Sequence, residues 1–143
     1  PYVIETSTGL DRMFLAVFSQ SLSIEKLDDG SERTVLKIPT ILASNKCAIL
    51  PLVKKDGLPE IATKLKDKLK LKYNVIYDEK DAIGKRYRRQ DAVGTPYCIT
   101  IDHQTNQDRK VTIRERDSME QKRISIDNIE SFLSESFDIS NWL

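Results

Sequence analysis

Cysteine is scarce in this chain: Cys47 and Cys98 are the only two, too few for a disulfide scaffold. Each stands in an apolar run where a small thiol packs as a hydrophobe, so both are read as reduced core residues. Histidine is scarcer still. With His103 alone and no Cys/His cluster, a structural zinc site has no ligand set, and no metal site is expected. Five glycines and five prolines in 143 residues exclude collagen-like and low-complexity chains. No apolar stretch approaches the roughly 18 residues of a membrane span, and the first residues show no basic region followed by an apolar core. The expectation is a cytoplasmic chain with no membrane partner. Nor does either sign of charge dominate: 23 Lys and Arg against 22 Asp and Glu leave +1, which excludes a polycation that holds nucleic acid by net charge alone. What is present, 39% hydrophobic and 31% charged residues, suits a globular domain of ordinary size with a real core.

The balance of charge hides an uneven distribution. Residues 1–33 carry three basic and six acidic groups, whereas 54–72 carry seven against three, 85–91 four against one, and 109–123 six against three. Asp127, Glu130, Glu135 and Asp138 make the last segment negative. Positive charge is thus concentrated mid-chain, the footprint expected for a phosphate backbone, although charge runs on helices are also simply solvated faces.

Periodicity divides the chain. Leu10, Phe14, Val17, Phe18 and Leu22 recur at helical spacing, with Thr8 or Asp11 available near the helix start. A polar stretch from Glu25 to Arg33 reads as a loop or hairpin tip, and a boundary between two units falls between Leu36 and Lys46. Cys47 to Val53 is a continuous apolar run, as in a strand covered on both faces. Leu58, Ile61, Leu65 and Leu69 mark one face of a Lys-rich helix with Pro59 in its first turn. Strands follow at 73–77 and 97–101, and a turn at 105–108 joins the second of these to 111–114 as an antiparallel hairpin. A last strand covers 123–126, and Asp127 with Glu130 reads as N-cap and capping-box partner of a terminal helix. This order gives an α/β fold: a three-layer, mixed five-stranded sheet with helices on both faces.

The most informative segment is IGKRYRRQDAVGTPYCITID, residues 83–102. On a helix Lys85, Arg86 and Arg89 share a face. Their repulsion is relieved either by Asp91 and the acids Asp78, Glu79 and Asp81, or by phosphates that suit the planar arginine fork. Tyr87 either stacks on an unpaired base or packs on the sheet. Gly94 suits a left-handed helix stop before Pro96. His103 beside Asp102 has no activated Ser or Cys near it and reads as a turn residue, and Lys54 to Gly57 lacks P-loop spacing. No catalytic residue is expected.

The run from Gly84 to Asp91, with Gly94-Thr95-Pro96-Tyr97-Cys98 and Val111 to Asp117, resembles the anticodon-binding domain of the dimeric glycyl-tRNA synthetases, class II aminoacyl-tRNA synthetases. Pro1 to Ser7 with Gly9-Leu10-Asp11-Arg12 resembles the third signature motif of that class. The resemblance implies two parts: residues 1–40 as the end of a catalytic domain, and residues 41–143 as the anticodon-binding domain. It implies a tRNA-binding module of a glycine-tRNA ligase that uses ATP and Mg2+ and works as a homodimer, the piece alone being an inactive monomer. By resemblance, Arg12 reaches ATP in the intact enzyme, Lys85, Arg86, Arg88 and Arg89 hold tRNA phosphates, and Asp102, Arg114 and Arg116 read the anticodon. The alternative is a synthetase-like accessory domain that binds duplex nucleic acid or a protein. The Arg12 motif and the unbroken RYRRQD run argue against it.

Overall fold

The computed structural model describes residues 2–142; Pro1, the first residue of the signature-motif resemblance, lies outside the described residues. In chain order the elements are α1 (Leu10–Ser21), β1 (Leu22–Lys26), β2 (Glu32–Leu36), β3 (Cys47–Pro51), α2 (Leu58–Leu69), β4 (Val75–Tyr77), α3 (Ile83–Val93), β5 (Tyr97–Ile101), α4 (Thr105–Asp108), β6 (Lys110–Glu115), β7 (Gln121–Ser125) and α5 (Ile129–Ser136). No helix among the described residues is long and apolar enough to cross a membrane.

All five residues of β3 are buried, which only a central strand covered on both faces can satisfy. It pairs in parallel with β4, Cys47 opposite Val75, and with β5, Cys47 opposite Tyr97. β6 and β7 extend the sheet antiparallel, with Ile99 opposite Ile113 and Thr112 opposite Arg123. The strand order is β4-β3-β5-β6-β7.

Because side chains alternate across a strand, β3 feeds two cores. Cys47 and Ile49, with Ile99, Ile101, Val111 and Ile113, face Leu58, Ala62, Leu65 and Leu69 of α2 and Ile129 and Leu133 of α5. Ala48 and Leu50, with Cys98, face Ile83 and Tyr87 of α3. Helices therefore cover both faces, and both cysteines are buried and free. Burying one such aliphatic side chain stabilises the fold by roughly 1.5–3 kcal/mol.

The stretch from Glu25 to Arg33 is more structured than its polarity suggests. Its flanks pair as the hairpin β1–β2, Leu22 opposite Leu36 and Lys26 opposite Glu32, and only residues 27–31 form the tip. Two helix starts also differ from expectation. Gly9, not Thr8 or Asp11, is the N-cap of α1 and makes no side-chain cap. Before α5 a short 3-10 turn, Ile126–Asn128, intervenes, and Ser125 Oγ accepts from the Asp127 N–H at 3.3 Å. Asp127 turns instead to Arg109, and Glu130 to Lys68 and Lys72. The lysines of α2 and the following loop win the carboxylate that a capping box would use.

Candidate nucleic-acid interface

Two crossovers leave β3 and β4 in opposite directions. The β3-α2-β4 connection covers one face and β4-α3-β5 covers the other, so the chain parts at the carboxyl ends of β3 and β5. Such a switch point opens a crevice that ligands use in open α/β sheets. The loops that follow β3, β4 and β5 form its rim.

Arg86 ties that rim together from inside. It is 3% exposed and donates to the carbonyls of Pro51 (2.6 Å), Leu52 (3.1 Å) and Asp78 (3.3 Å). Asp102, at the end of β5, accepts from Arg123 Nη1 of β7 at 2.6 Å and from the Thr105 N–H at 3.0 Å. Burial pushes the Asp102 carboxyl up, but these donors outweigh it and hold its pKa below the ordinary value. The same Arg123 reaches Asp108 at 3.0 Å, and its own pKa is raised, first by its bond to Asp102. The Asp102–Arg123 pair is about a quarter exposed, 23% and 28% by side chain. Both terminal nitrogens of Arg123 are engaged, Nη1 with Asp102 and Nη2 with Asp108 and the Lys110 carbonyl, so a ligand meets this pair by exchanging those bonds. Lys54 meets Glu79 (3.4 Å) and His103 meets Asp56 (3.3 Å) on the same rim.

The α3 cations separate by position. Lys85 is exposed and has no ion-pair partner among the described residues. Arg89 lies at the outer surface and reaches Asp78 (3.0 Å) and Asp81 (3.3 Å), two of the acids its spacing nominated. Arg88 is half-buried on the side of the β1–β2 tip, where its charge adds to the Ser31 bonds that lower the Asp29 pKa. Tyr87 packs on the sheet, its hydroxyl 2.6 Å from Thr100 Oγ1.

Arg114 and Arg116, expected to face RNA, lie inside at 5% and 2% exposure. Arg114 donates both Nη1 and Nη2 to the two oxygens of Asp91 (2.8 and 3.0 Å) and lies 4.9 Å from the Tyr87 ring centre. Arg116 donates to the carbonyls of Gly94 (2.9 Å) and Ile38 (3.0 Å) and pairs with Asp117. Arg33, which the sequence reading did not single out, joins them from β2: it donates to Asp91 Oδ2 (3.2 Å), to the Arg116 carbonyl (2.8 Å) and to Glu25. Three guanidiniums and three carboxylates thus lock the hairpin onto α3 and the sheet. Arg33 could have been found from strand alternation, since it shares a face with Val35, both buried. Arg123 was recoverable likewise, opposite Thr112 on the face that carries Thr100.

Arg12 is exposed on α1. That helix buries only Ser21, leaving Leu10, Phe14 and Leu15 at 80%, 65% and 65% exposure. No group of three or more His, Cys, Asp and Glu that could hold a metal ion occurs among the described residues.

A family model described as "Anticodon binding domain" matches residues 46–136, from just before β3 to the end of α5. Among curated proteins, the chain is 51% identical over 133 residues to a glycine--tRNA ligase of Borreliella burgdorferi strain B31, covering 93% of this chain and 30% of that protein. It is 50% identical over 138 residues to a glycine--tRNA ligase of Clostridium tetani, covering 96% and 29%. The chain therefore spans about three-tenths of the length of these relatives. Among solved structures, the RNA binding domain of a threonyl-tRNA synthetase from Cryptosporidium parvum Iowa II superposes with a TM-score of 0.63 at 23% identity, over 70% of this chain and 25% of that one. That likeness is one of fold.

Proposed function

Because this chain belongs to the anticodon binding domain family, we propose that it docks the anticodon stem-loop of a glycine-specific tRNA as part of a cytoplasmic, homodimeric glycine-tRNA ligase. One observation carries the reading: at the switch point, by the carboxyl ends of β3 and β5, stands a carboxylate-guanidinium pair, Asp102 and Arg123, each about a quarter exposed. Unpaired anticodon bases expose edges that such a pair reads. Lys85, Arg88 and Arg89 flank the crevice on α3 and hold phosphates, which position the RNA without reading its sequence. Arg86, Arg114 and Arg116 act one layer beneath: Arg86 fixes the rim loops, and Arg114 sets the Tyr87 ring through its stack.

Residues 1–40 then serve as the end of the catalytic part, and the apolar side of α1 packs against the remainder of the ligase. Arg12, a guanidinium without an ion pair among the described residues, is suited to the triphosphate of ATP there. Magnesium would take its ligands elsewhere, given the absence of a ligating cluster among the described residues. The piece alone binds RNA as a monomer and does not form glycyl-tRNA.

The test is a salt titration of binding to the glycine anticodon stem-loop and to a loop with a scrambled anticodon, with Asp102→Ala and Arg123→Ala variants. Preference for the glycine loop that both variants abolish is the expected result. Equal, salt-sensitive binding to both loops removes Asp102 and Arg123 as readers, and absence of binding overturns the reading.

A further inference from the structure

On the α2 side of the sheet, opposite α3, runs a groove of about 350 Å3 between α2 and the α4 turn. Its floor is aliphatic: Leu65 is buried, and Ile61 and Ile126 are half-buried. Its walls carry three cations, Lys64 and Lys68 on α2 and Arg109 at the end of α4, against one carboxylate, Asp127. Lys64 has no ion-pair partner among the described residues. Lys68 shares Glu130 at 3.4 Å, and Arg109 meets Asp127 at 3.5 Å with both side chains at least 70% exposed. Pairs this open exchange partners readily.

The walls are tied in place before anything binds. Asn106 Nδ2 donates to the Asp56 carbonyl at 3.0 Å, anchoring α4 to the loop before α2. The Ile126 N–H donates to the Arg109 carbonyl at 3.0 Å, which fixes floor and wall together. Arg109 holds a left-handed backbone, φ 52°, a conformation uncommon outside glycine. A preformed groove spares a ligand the cost of ordering it.

We propose that this groove docks an acidic segment of a partner protein that inserts one or two aliphatic side chains over Ile61, Leu65 and Ile126 while its carboxylates bridge Lys64 and Arg109. Charge complementarity selects an acidic partner, and the aliphatic floor selects protein over RNA. Sequence-tolerant RNA binding uses aromatic platforms for bases, and no aromatic side chain lines this groove. The groove lies on the α2 face, whereas the α3 cations lie on the other, and the two surfaces meet at the α4 turn.

The experiment uses this whole chain and a fluorescent helical peptide of Asp and Glu carrying two leucines at i and i+4. Two control peptides replace the leucines with serine or the acids with lysine. Binding is read by anisotropy, and its place by amide shifts in NMR spectra. The expected result is binding of the first peptide alone, with shifts confined to residues 61–68, 105–109 and 126. Affinity should fall by about tenfold in the Lys64→Glu/Arg109→Glu double variant, whose melting temperature confirms that it is folded. Equal binding of the serine control would reduce the groove to an anion patch and overturn the proposal. So would shifts elsewhere, no binding at all, or displacement of the peptide by a stem-loop that shifts Lys64 and Arg109.

Discussion

Asp91 is the residue on which the interior turns. It is fully buried, accepts two bonds from Arg114 and a third from Arg33, and so joins elements far apart in sequence. A buried charge group is tolerated only while its members remain paired. Asp91→Asn leaves two guanidiniums short of countercharge and should destabilise the chain by about 3–5 kcal/mol, measured as a lower urea midpoint with an unchanged slope. A loss under 1 kcal/mol would mean that Glu25 and Asp117 carry the burden. Sequence offers Asp91 as one of several groups able to neutralise an arginine but not which arginine, because Arg33 and Arg114 are chosen by packing that no local pattern encodes. The fate of Arg114 and Arg116 was illegible for the same reason: an arginine at strand spacing faces solvent or a core carboxylate depending on what tertiary structure brings above it. Cysteine was the easier reading. Burial pushes the Cys47 and Cys98 thiols up to about 12, so almost no thiolate exists at pH 8 and neither sulfur is accessible. A disulfide reagent should find no fast-reacting thiol in the native chain and two after denaturation.

At the scale of elements, the central strand, α2, α3 and the β5–β6 hairpin were legible because each carries a strong period between clear breaks. The β1–β2 hairpin was only half legible. Its tip is marked by Asp-Gly-Ser, but its role as a cover on α3 depends on Val35 and Arg33 turning inward, a tertiary outcome. Gly94 shows how the two levels meet. Its φ of 80° closes α3 in the left-handed region, as sequence suggests, yet a Cβ there would also lie 3.1 Å from Leu36 and Ile38. Glycine is thus required both by the helix stop and by the hairpin that passes over it. Gly94→Ala should cost about 1–2 kcal/mol for the backbone alone and more for the contact, visible as a lower melting temperature. Gly84→Ala on the same helix, where a Cβ meets nothing within 4 Å, should be neutral or slightly stabilising. Equal losses at the two sites would remove the close packing of the hairpin on α3 from the account.

At the scale of the molecule, a net charge of +1 gives little long-range attraction for RNA, and the acidic first and last segments oppose it. Screening over about 8 Å at physiological ionic strength confines the competition to near neighbours, so binding depends on the few cations that face the crevice unneutralised. Lys85 is free, Arg88 is half-buried, and Arg89 must leave Asp78 and Asp81 before it meets a phosphate. Two to three phosphate contacts should therefore be made, and log affinity should fall with log salt at a slope of about −1.5 to −2.5. Lys85→Ala should bring that slope closer to zero by about one while leaving anticodon preference intact. Arg12→Ala, on α1 away from the crevice, should change neither. The measurement is fluorescence anisotropy of a labelled glycine anticodon stem-loop over a range of potassium chloride. A steeper slope would require cations on α2 to join the interface, bringing RNA to the face assigned above to an acidic protein segment. An unchanged slope in Lys85→Ala would take the phosphate backbone off α3 altogether.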